Sequence, residues 1–415
     1  MTRSDDPKST LNLRPLHPRD ADALGKWNGN GILIADPTAE ILHDGRSRLL
    51  HHPLALWWQW ASTLAIPNQP RWSGFVAAWG EATCGMIEVS PFNRTRSTWR
   101  VDWVAVNPAN VPASPEGPLS QIGSQLLRHC FEAVWEARMW LAEVDIEQKP
   151  ALALYRQNGF QPLAQVTYWE ITPEVLAEQA KREPDLPNLM AVSNADAQLL
   201  YQLDTAAMPP LVRQVFDQQI QDFKVEPLQD IAEKIRQRMH RVHHICGYVF
   251  EPQRKAAIGR FELTACRDLR QCHTAELTVH PAYTWLYPEI ISHMARLLAN
   301  YPAMPLRITS HDYQAEREDY LNCIRANPVN RTLMLSRSVW HKVREAKPNA
   351  LEGLQLPEVL AGLQPAGKPI PGRLSWNGKA TSPTKQSSTQ VCPWEKYFDT
   401  TSPKGTSLDG EQLSG

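Results

Sequence analysis

The order of elements that this sequence predicts is written twice. In the first pass, residues 11–16 alternate as a short strand, and Pro18 opens an amphipathic helix with Ala21, Leu24 and Trp27 at helical spacing. Residues 53–64 follow as a buried helix, on which Trp57, Trp60, Ala61 and Leu64 recur at three and four residues. Strands over 73–79, 84–89 and 99–106 are joined by turn-rich segments so short that they favour an antiparallel meander. The period then changes to a helix over 122–138, a strand over 139–146, a short helix over 150–158 closed by Gly159, and a strand over 160–171. From Met190 the order starts again. MAVSNADAQLLYQLD mirrors LRPLHPRDADALGKW, and a helix (228–241), strands (245–250, 256–263, 275–279), a helix (288–300), a strand (306–309), a helix (315–326) and a strand (332–336) follow. A match of architecture over about 155 residues on each side is most simply a tandem duplication. Each copy is a mixed α/β sheet in which a meander gives way to a crossover.

That division suits a chain of 415 residues. It places a first domain at 11–172, a linker rich in Pro and charge at 173–189, and a second domain at 190–345. Residues 1–10 are expected to be disordered, and the stretch 346–415 to be a linker followed by a disordered tail. Its last 51 residues hold 6 Pro, 6 Gly and 13 Ser or Thr, too little apolar surface for a core. Within that tail Trp394, Tyr397 and Phe398 of VCPWEKYFD (391–399) form an aromatic cluster that could dock on a protein partner or be incidental.

Lys plus Arg is 43 and Asp plus Glu is 44, a net charge of −1 that argues against a general grip on nucleic acid or anionic lipid. No run of about 18 apolar residues occurs, and the start lacks the apolar core of a signal peptide, so no membrane segment is expected. Seven cysteines without a CxxC pair read as reduced thiols of a cytoplasmic protein. His240, His243, His244 and Cys246 cluster in MHRVHHICG, but the period changes from helix to strand within that segment, which favours ordinary histidines over metal ligands.

Two segments carry chemistry. In VDWVAVNPANVPASPEGPLSQIGSQLL (101–127) a strand runs through a Pro-broken loop into a helix with no acid in its first turn, an arrangement suited to an anion such as a pyrophosphate. In QKPALALYRQNGF (148–160) a short helix ends at Gly-Phe. With the second segment the first half resembles the GNAT superfamily of N-acetyltransferases. Ala151, Leu154, Tyr155, Gly159 and Phe160 match the pattern A-x-x-L-Y-x-x-x-G-F, and IGSQLL resembles the family's pyrophosphate helix.

The resemblance implies two tandem GNAT-like domains and transfer of an acetyl group from acetyl-CoA to an amine of a small molecule or peptide. The backbone of Val104, Ala105 and Val106 would pair with the pantetheine amides. Amides of Gln121, Ile122, Gly123, Ser124 and Gln125 would cradle the pyrophosphate. Tyr155 would protonate the departing thiolate. Asp102, which shares the parity of Val104 and Val106, would be the base, with Glu88 as runner-up. Both acids could instead be hydrogen-bonded surface groups, and Tyr155 a core tyrosine. The loop departs from the family pattern, reading Pro118-Leu-Ser-Gln121-Ile-Gly123 with one of two glycines replaced and Pro108, Pro112, Pro115 and Pro118 crowded into it. The second half reads as a degenerate copy, with Trp285 and Tyr287 in its loop and Asn327-Pro328 where Gly-Phe belongs. The competing reading is a non-catalytic GNAT-fold scaffold.

Overall fold

The computed structural model describes residues 11–17, 20, 31–37, 73–80, 82–111, 117–225, 242–269 and 271–339. The helices expected at 53–64 and 228–241, most of the helix after Pro18, the N-terminal ten residues, the tail with its aromatic motif, His240, Pro112 and Pro115 lie outside them.

The expected meander forms. Strands β1 (Leu11–Pro15), β3 (Ser73–Trp79), β4 (Ala82–Pro91) and β5 (Thr98–Val106) pair antiparallel in the order β1-β3-β4-β5. A strand not anticipated, β2 (Ile32–Ala35), pairs antiparallel with β5 on the edge away from β4. Helix α1 (Pro118–Ala133) then leads into β6 (Met139–Asp145), which runs parallel to β5. Helix α2 (Lys149–Gln157) and β7 (Gln161–Ile171) complete this half of the sequence.

Helix α3 (Pro173–Ala180) occupies the start of the segment expected as a linker, a stretch whose sequence reads as helical at first. It packs onto the second half, where Leu176 enters the core and Ser292 Oγ donates to Gln179 O at 2.8 Å. Strand β8 (Leu189–Ala191), helices α4 (Ala197–Ala207) and α5 (Pro210–Phe216), and strands β9 (Val242–Glu251), β10 (Ala256–Cys266) and β11 (His273–Val279) follow. The chain closes with α6 (Leu286–Leu298), β12 (Leu306–His311), α7 (Ala315–Cys323) and β13 (Asn327–Ser338). From β3 to β7 and from β9 to β13 the described elements follow the same order, three antiparallel strands, a helix, a strand, a helix and a strand.

The two halves do not close separately. All strands form one sheet in the order β1-β3-β4-β5-β6-β13-β7-β12-β11-β10-β9-β8, with β2 beside β5. The last strand of each half lies beside the other's: β13 pairs antiparallel with both β6 and β7, and β7 pairs antiparallel with β12. Side chains cross with the strands. Leu335 of β13 is buried in the first core, and Trp169 and Ile171 of β7 in the second. Tyr168 Oη donates to Glu143 Oε1 at 2.6 Å and Thr332 Oγ1 to the same oxygen at 2.5 Å, so one partly buried carboxylate spans β6, β13 and β7. The β4–β5 turn is tied across as well, since Thr98 Oγ1 donates to Val215 O at 2.6 Å and Asn93 Nδ2 to Phe216 O at 3.1 Å.

The Gly-Phe signature has a local cause. After α2 the chain takes φ = +81° at Gly159, and Phe160 N–H reaches back to Tyr155 O at 3.1 Å. A side chain would be strained in that left-handed conformation. Arg337 of β13 donates to Asn158 O and lies 4.1 Å from the Phe131 ring centroid, which seals this helix end with the exchanged strand.

Five of the described cysteines, Cys84, Cys130, Cys246, Cys266 and Cys272, are free. No helix among the described residues is long and apolar enough to cross a membrane.

Strand exchange predicts that the halves melt together. Leu335→Ala, which empties a fully buried position, is expected to cost about 2–4 kcal/mol. Calorimetry should show one transition that moves to lower temperature; two transitions, only one of which moves, would contradict the exchange.

Candidate functional site

Strands β5 and β6 are parallel over only three pairs, Thr98–Arg100 against Met139–Leu141, and then part. Just beyond this point β5 carries a bulge. Glu88 of β4 faces Trp103 while Val89 faces Val101, which leaves Asp102 as an extra residue. The side-chain alternation therefore breaks: Val101, Val104 and Val106 all enter the same core. The parity expected for Asp102 with Val104 and Val106 does not hold, because that expectation assumed an unbroken strand. Asp102 and Trp103 instead join a polar cluster outside the core.

In that cluster Ser90 Oγ donates to Asp102 Oδ1 at 2.9 Å, and Arg100 Nε lies 3.0 Å from the same oxygen and 3.4 Å from Asp36 Oδ2. Trp103 Nε1–H donates to Glu88 Oε2. Glu88 is 4% exposed, and burial, with the Asp102 charge beside it, pushes its carboxyl up to about 8. Burial also raises Asp102, although the Arg100 charge and the Ser90 and Arg100 hydrogen bonds oppose it. For Arg100 burial acts downward, but Asp36 and Asp102 outweigh it and the net direction is up. Three carboxyl groups thus share one guanidinium in a shielded space, and burial holds the Glu88 proton although the Trp103 N–H favours its loss.

Tyr155, on α2, is 2% exposed and packs in the core on the other side of β5 from Trp103, with its ring 5.2 Å from that of Phe160. Burial, reinforced by the charges of Asp36 and Asp102, drives its hydroxyl well above the ordinary tyrosine value. The Asp102 charge thus acts on Tyr155, and so does Asp36, which the sequence did not indicate. The short apolar run Ile32–Ala35 ahead of Asp36, preceded by Gly29-Asn-Gly31, is the signal that could have marked it.

The expected cofactor residues fall into two groups. Helix α1 begins at Pro118, four residues earlier than the periodicity suggested, because proline has no N–H to lose at a first turn and Gly117 supplies φ = +79° before it. Gln121, Ile122, Gly123, Ser124 and Gln125 therefore sit inside the helix. Gln121 N–H already bonds Gly117 O at 3.1 Å, and the amides after it are committed to the helix in the same way. Only Leu119 and Ser120 keep first-turn amides clear of the helical ladder. Gly123 has a packing role, since a Cβ there would stand 3.0 Å from both Leu154 methyls.

The second group, Val104, Ala105 and Val106, lies on the parting strand as expected, but neither of its edges is open. Gly85, Met86 and Ile87 pair with one edge, and Ile32, Leu33 and Ile34 with the other. In this arrangement the β5 backbone does not fit a pantetheine arm.

The second half is closed by side chains. Its parting strands, β11 and β12, are parallel only over His273–Ala275 against Leu306–Ile308. Between them the buried Arg317 donates from Nη1 to Thr309 O at 2.9 Å and from Nη2 to Leu277 O. At the start of α6, Tyr287 is buried, and Glu289 in the first turn accepts from Arg182 Nη2 at 2.6 Å and from Asp185 N at 2.7 Å. A carboxylate already occupies the positive end of that helix. His243 Nδ1 is 2.5 Å from Tyr301 Oη and His244 Nδ1 is 2.9 Å from Thr264 Oγ1, so both histidines are engaged with hydroxyls.

No family model matches this chain, and no curated protein matches it. Among solved structures it is similar to a tandem GNAT protein from the clavulanic acid biosynthesis pathway, at 13% identity with 80% of this chain and 100% of that chain covered and a TM-score of 0.46. It is also similar to GCN5-related N-acetyltransferases from Sphaerobacter thermophilus (11% identity, 79% and 95% covered, TM-score 0.46) and Kribbella flavida (11% identity, 79% and 72% covered, TM-score 0.42).

The raised Glu88 carboxyl makes a stability prediction. Its proton is held in the folded chain up to about pH 8 but leaves the unfolded chain near the ordinary glutamate value of 4.5. Stability from this group is complete below the lower value and declines as pH rises between the two. Glu88→Gln, which keeps an acceptor for Trp103, should remove that decline. Urea unfolding should show the variant gaining on the order of 3 kcal/mol relative to wild type between pH 5 and pH 8. An equal difference at both pH values would show that Glu88 titrates normally.

Proposed function

We propose that this chain is an N-acyltransferase of the GNAT type, which moves an acyl group, in the simplest case acetyl, from a CoA thioester to an amine, with the chemistry in the first half. The observation that carries the reading is the site where β5 parts from β6. A buried acid, Glu88, and a partly buried one, Asp102, gather on one side of β5, and Tyr155, in the core on its other side, lies within reach of the Asp102 charge.

The amine must lose a proton, its nitrogen must bond the acyl carbon, and the C–S bond must break as the sulfur gains a proton. A carboxyl poised near neutrality suits the first task, because a base is most effective when its pKa lies close to the working pH. Glu88 meets that condition better than Asp102, which is committed to Ser90 and Arg100. Asp102 then has a positioning role, holding Arg100 beside the acids. Tyr155 Oη, kept protonated by burial and by neighbouring negative charge, is the proton source for the thiolate. Proximity of the amine to the thioester supplies the rest of the acceleration. The acceptor is a primary amine on a small molecule or peptide, and the second half, closed by Arg317 and Glu289, serves structure or acceptor recognition.

A second reading, a scaffold without turnover, is favoured by the paired edges of Val104–Val106. Tyr155→Phe separates the two. Initial rates of thiol release from acetyl-CoA over a panel of amines are expected to fall about 100-fold in kcat, with KM little changed. A folded variant that retains the wild-type rate removes Tyr155 from the chemistry, and absence of thiol release by the wild type with every amine favours the scaffold.

A further inference from the structure

We propose that Ile32–Ala35 is a competitor for the CoA thioester built into the chain, occupying the backbone edge that the pantetheine arm would use, so that cofactor binding requires β2 to leave. The inference rests on the acyltransferase reading and adds a control step to it.

An extended arm bearing two amides is recognised by a strand edge in the same way as an added strand, through backbone N–H and C=O groups. Such an edge becomes available where parallel neighbours separate, and β5 leaves β6 after Arg100. Along the next stretch Ile32 faces Val106, Leu33 faces Ala105, Ile34 faces Val104 and Ala35 faces Trp103. The opposite edge is held by β4. Backbone groups committed to β2 cannot serve a second partner, so β2 and an amide-bearing arm exclude each other.

The way β2 is held suits a displaceable segment. It is four residues long; Ile32 and Leu33 are 37% and 38% exposed, and within the strand only Ile34, at 3%, is deeply buried. Its firm anchor is one residue beyond the strand, where Asp36 N–H donates to Asp102 O at 2.8 Å and the Asp36 carboxylate lies 3.4 Å from Arg100 Nε. This anchor falls in the acid cluster itself. Departure of β2 therefore removes a negative charge that acts on both Tyr155 and Asp102 while it opens the β5 edge. Opening the slot and readying the proton donor are one event. In the second half the corresponding gap is bridged by Arg317, a residue 2% exposed and fixed to carbonyls of both β11 and β12, so among the described strands it is the first half that can open by peeling one away.

The test uses the full chain and CoA alone. A variant carrying Ile32→Ser, Leu33→Gly, Ile34→Ser and Ala35→Gly should bind CoA at least about tenfold more tightly than wild type by isothermal titration calorimetry. Asp36→Asn, which keeps the strand and weakens its anchor, should fall between them. In wild type, saturating CoA should increase amide hydrogen exchange at 32–36 and leave 103–106 protected. This last measurement decides the matter if the fourfold variant does not fold. Equal affinities for all three proteins, with exchange at 32–36 unchanged by bound CoA, overturn the competitor and leave the acyltransferase reading standing. Absence of CoA binding by all three up to millimolar concentration removes both.

Discussion

The antiparallel ladders that β13 makes with β6 and β7 are the constraint on which the rest of the molecule depends. A strand paired on both edges sits in the middle of a sheet, and here the middle belongs to both halves at once. Leu335 completes one core and Trp169 with Ile171 the other, so neither hydrophobic cluster is whole without chain from across the exchange. Glu143, bonded to both Tyr168 and Thr332, adds a polar clasp that requires both exchanged strands in register. Two similar runs of elements are thereby joined in one continuous sheet.

Within that sheet the useful irregularity is the extra residue in β5. A regular strand would direct Asp102 to the side of Val104 and Val106, into apolar packing where a carboxylate would be costly. The bulge turns Asp102 and Trp103 away from the core together, which gives Glu88 an indole partner and Asp102 a serine and an arginine. It also lies next to the parting of β5 from β6, so the acids gather where a strand edge becomes available. In the second half β10 and β11 pair without a break, and Ala275, Leu277 and Val279 alternate regularly into the core. The copy that kept a regular ladder is also the copy whose gap is closed by an arginine.

The strand order within each half, the meander, the short helix before Gly159 and the restart near Met190 could all be read from periodicity and turn residues. These depend on neighbours in sequence. Tyr155 and Asp102 were also legible as residues with chemical potential, through a local motif and a charged residue in an apolar strand. Less legible was the start of α1, where Pro118 looked like loop and proved to be the first helical residue. That shift of four positions moved Gln121 to Gln125 from an anion loop into a helix interior.

Sequence by itself determined the repeated α/β order and the positions of the helix-ending glycine, the buried tyrosine and the acids of β4 and β5, because each follows from side-chain spacing or a backbone angle that few residues adopt. Tertiary structure alone decided that the final strands change places, that a bulge breaks the parity of Asp102, and that Ile32–Ala35 lies along Val104–Val106. A strand's edge bonds to whatever extended backbone reaches it first, and backbone groups carry no sequence label. Which segment wins that edge, one far along the chain, one close by, or a ligand, is a competition settled in three dimensions.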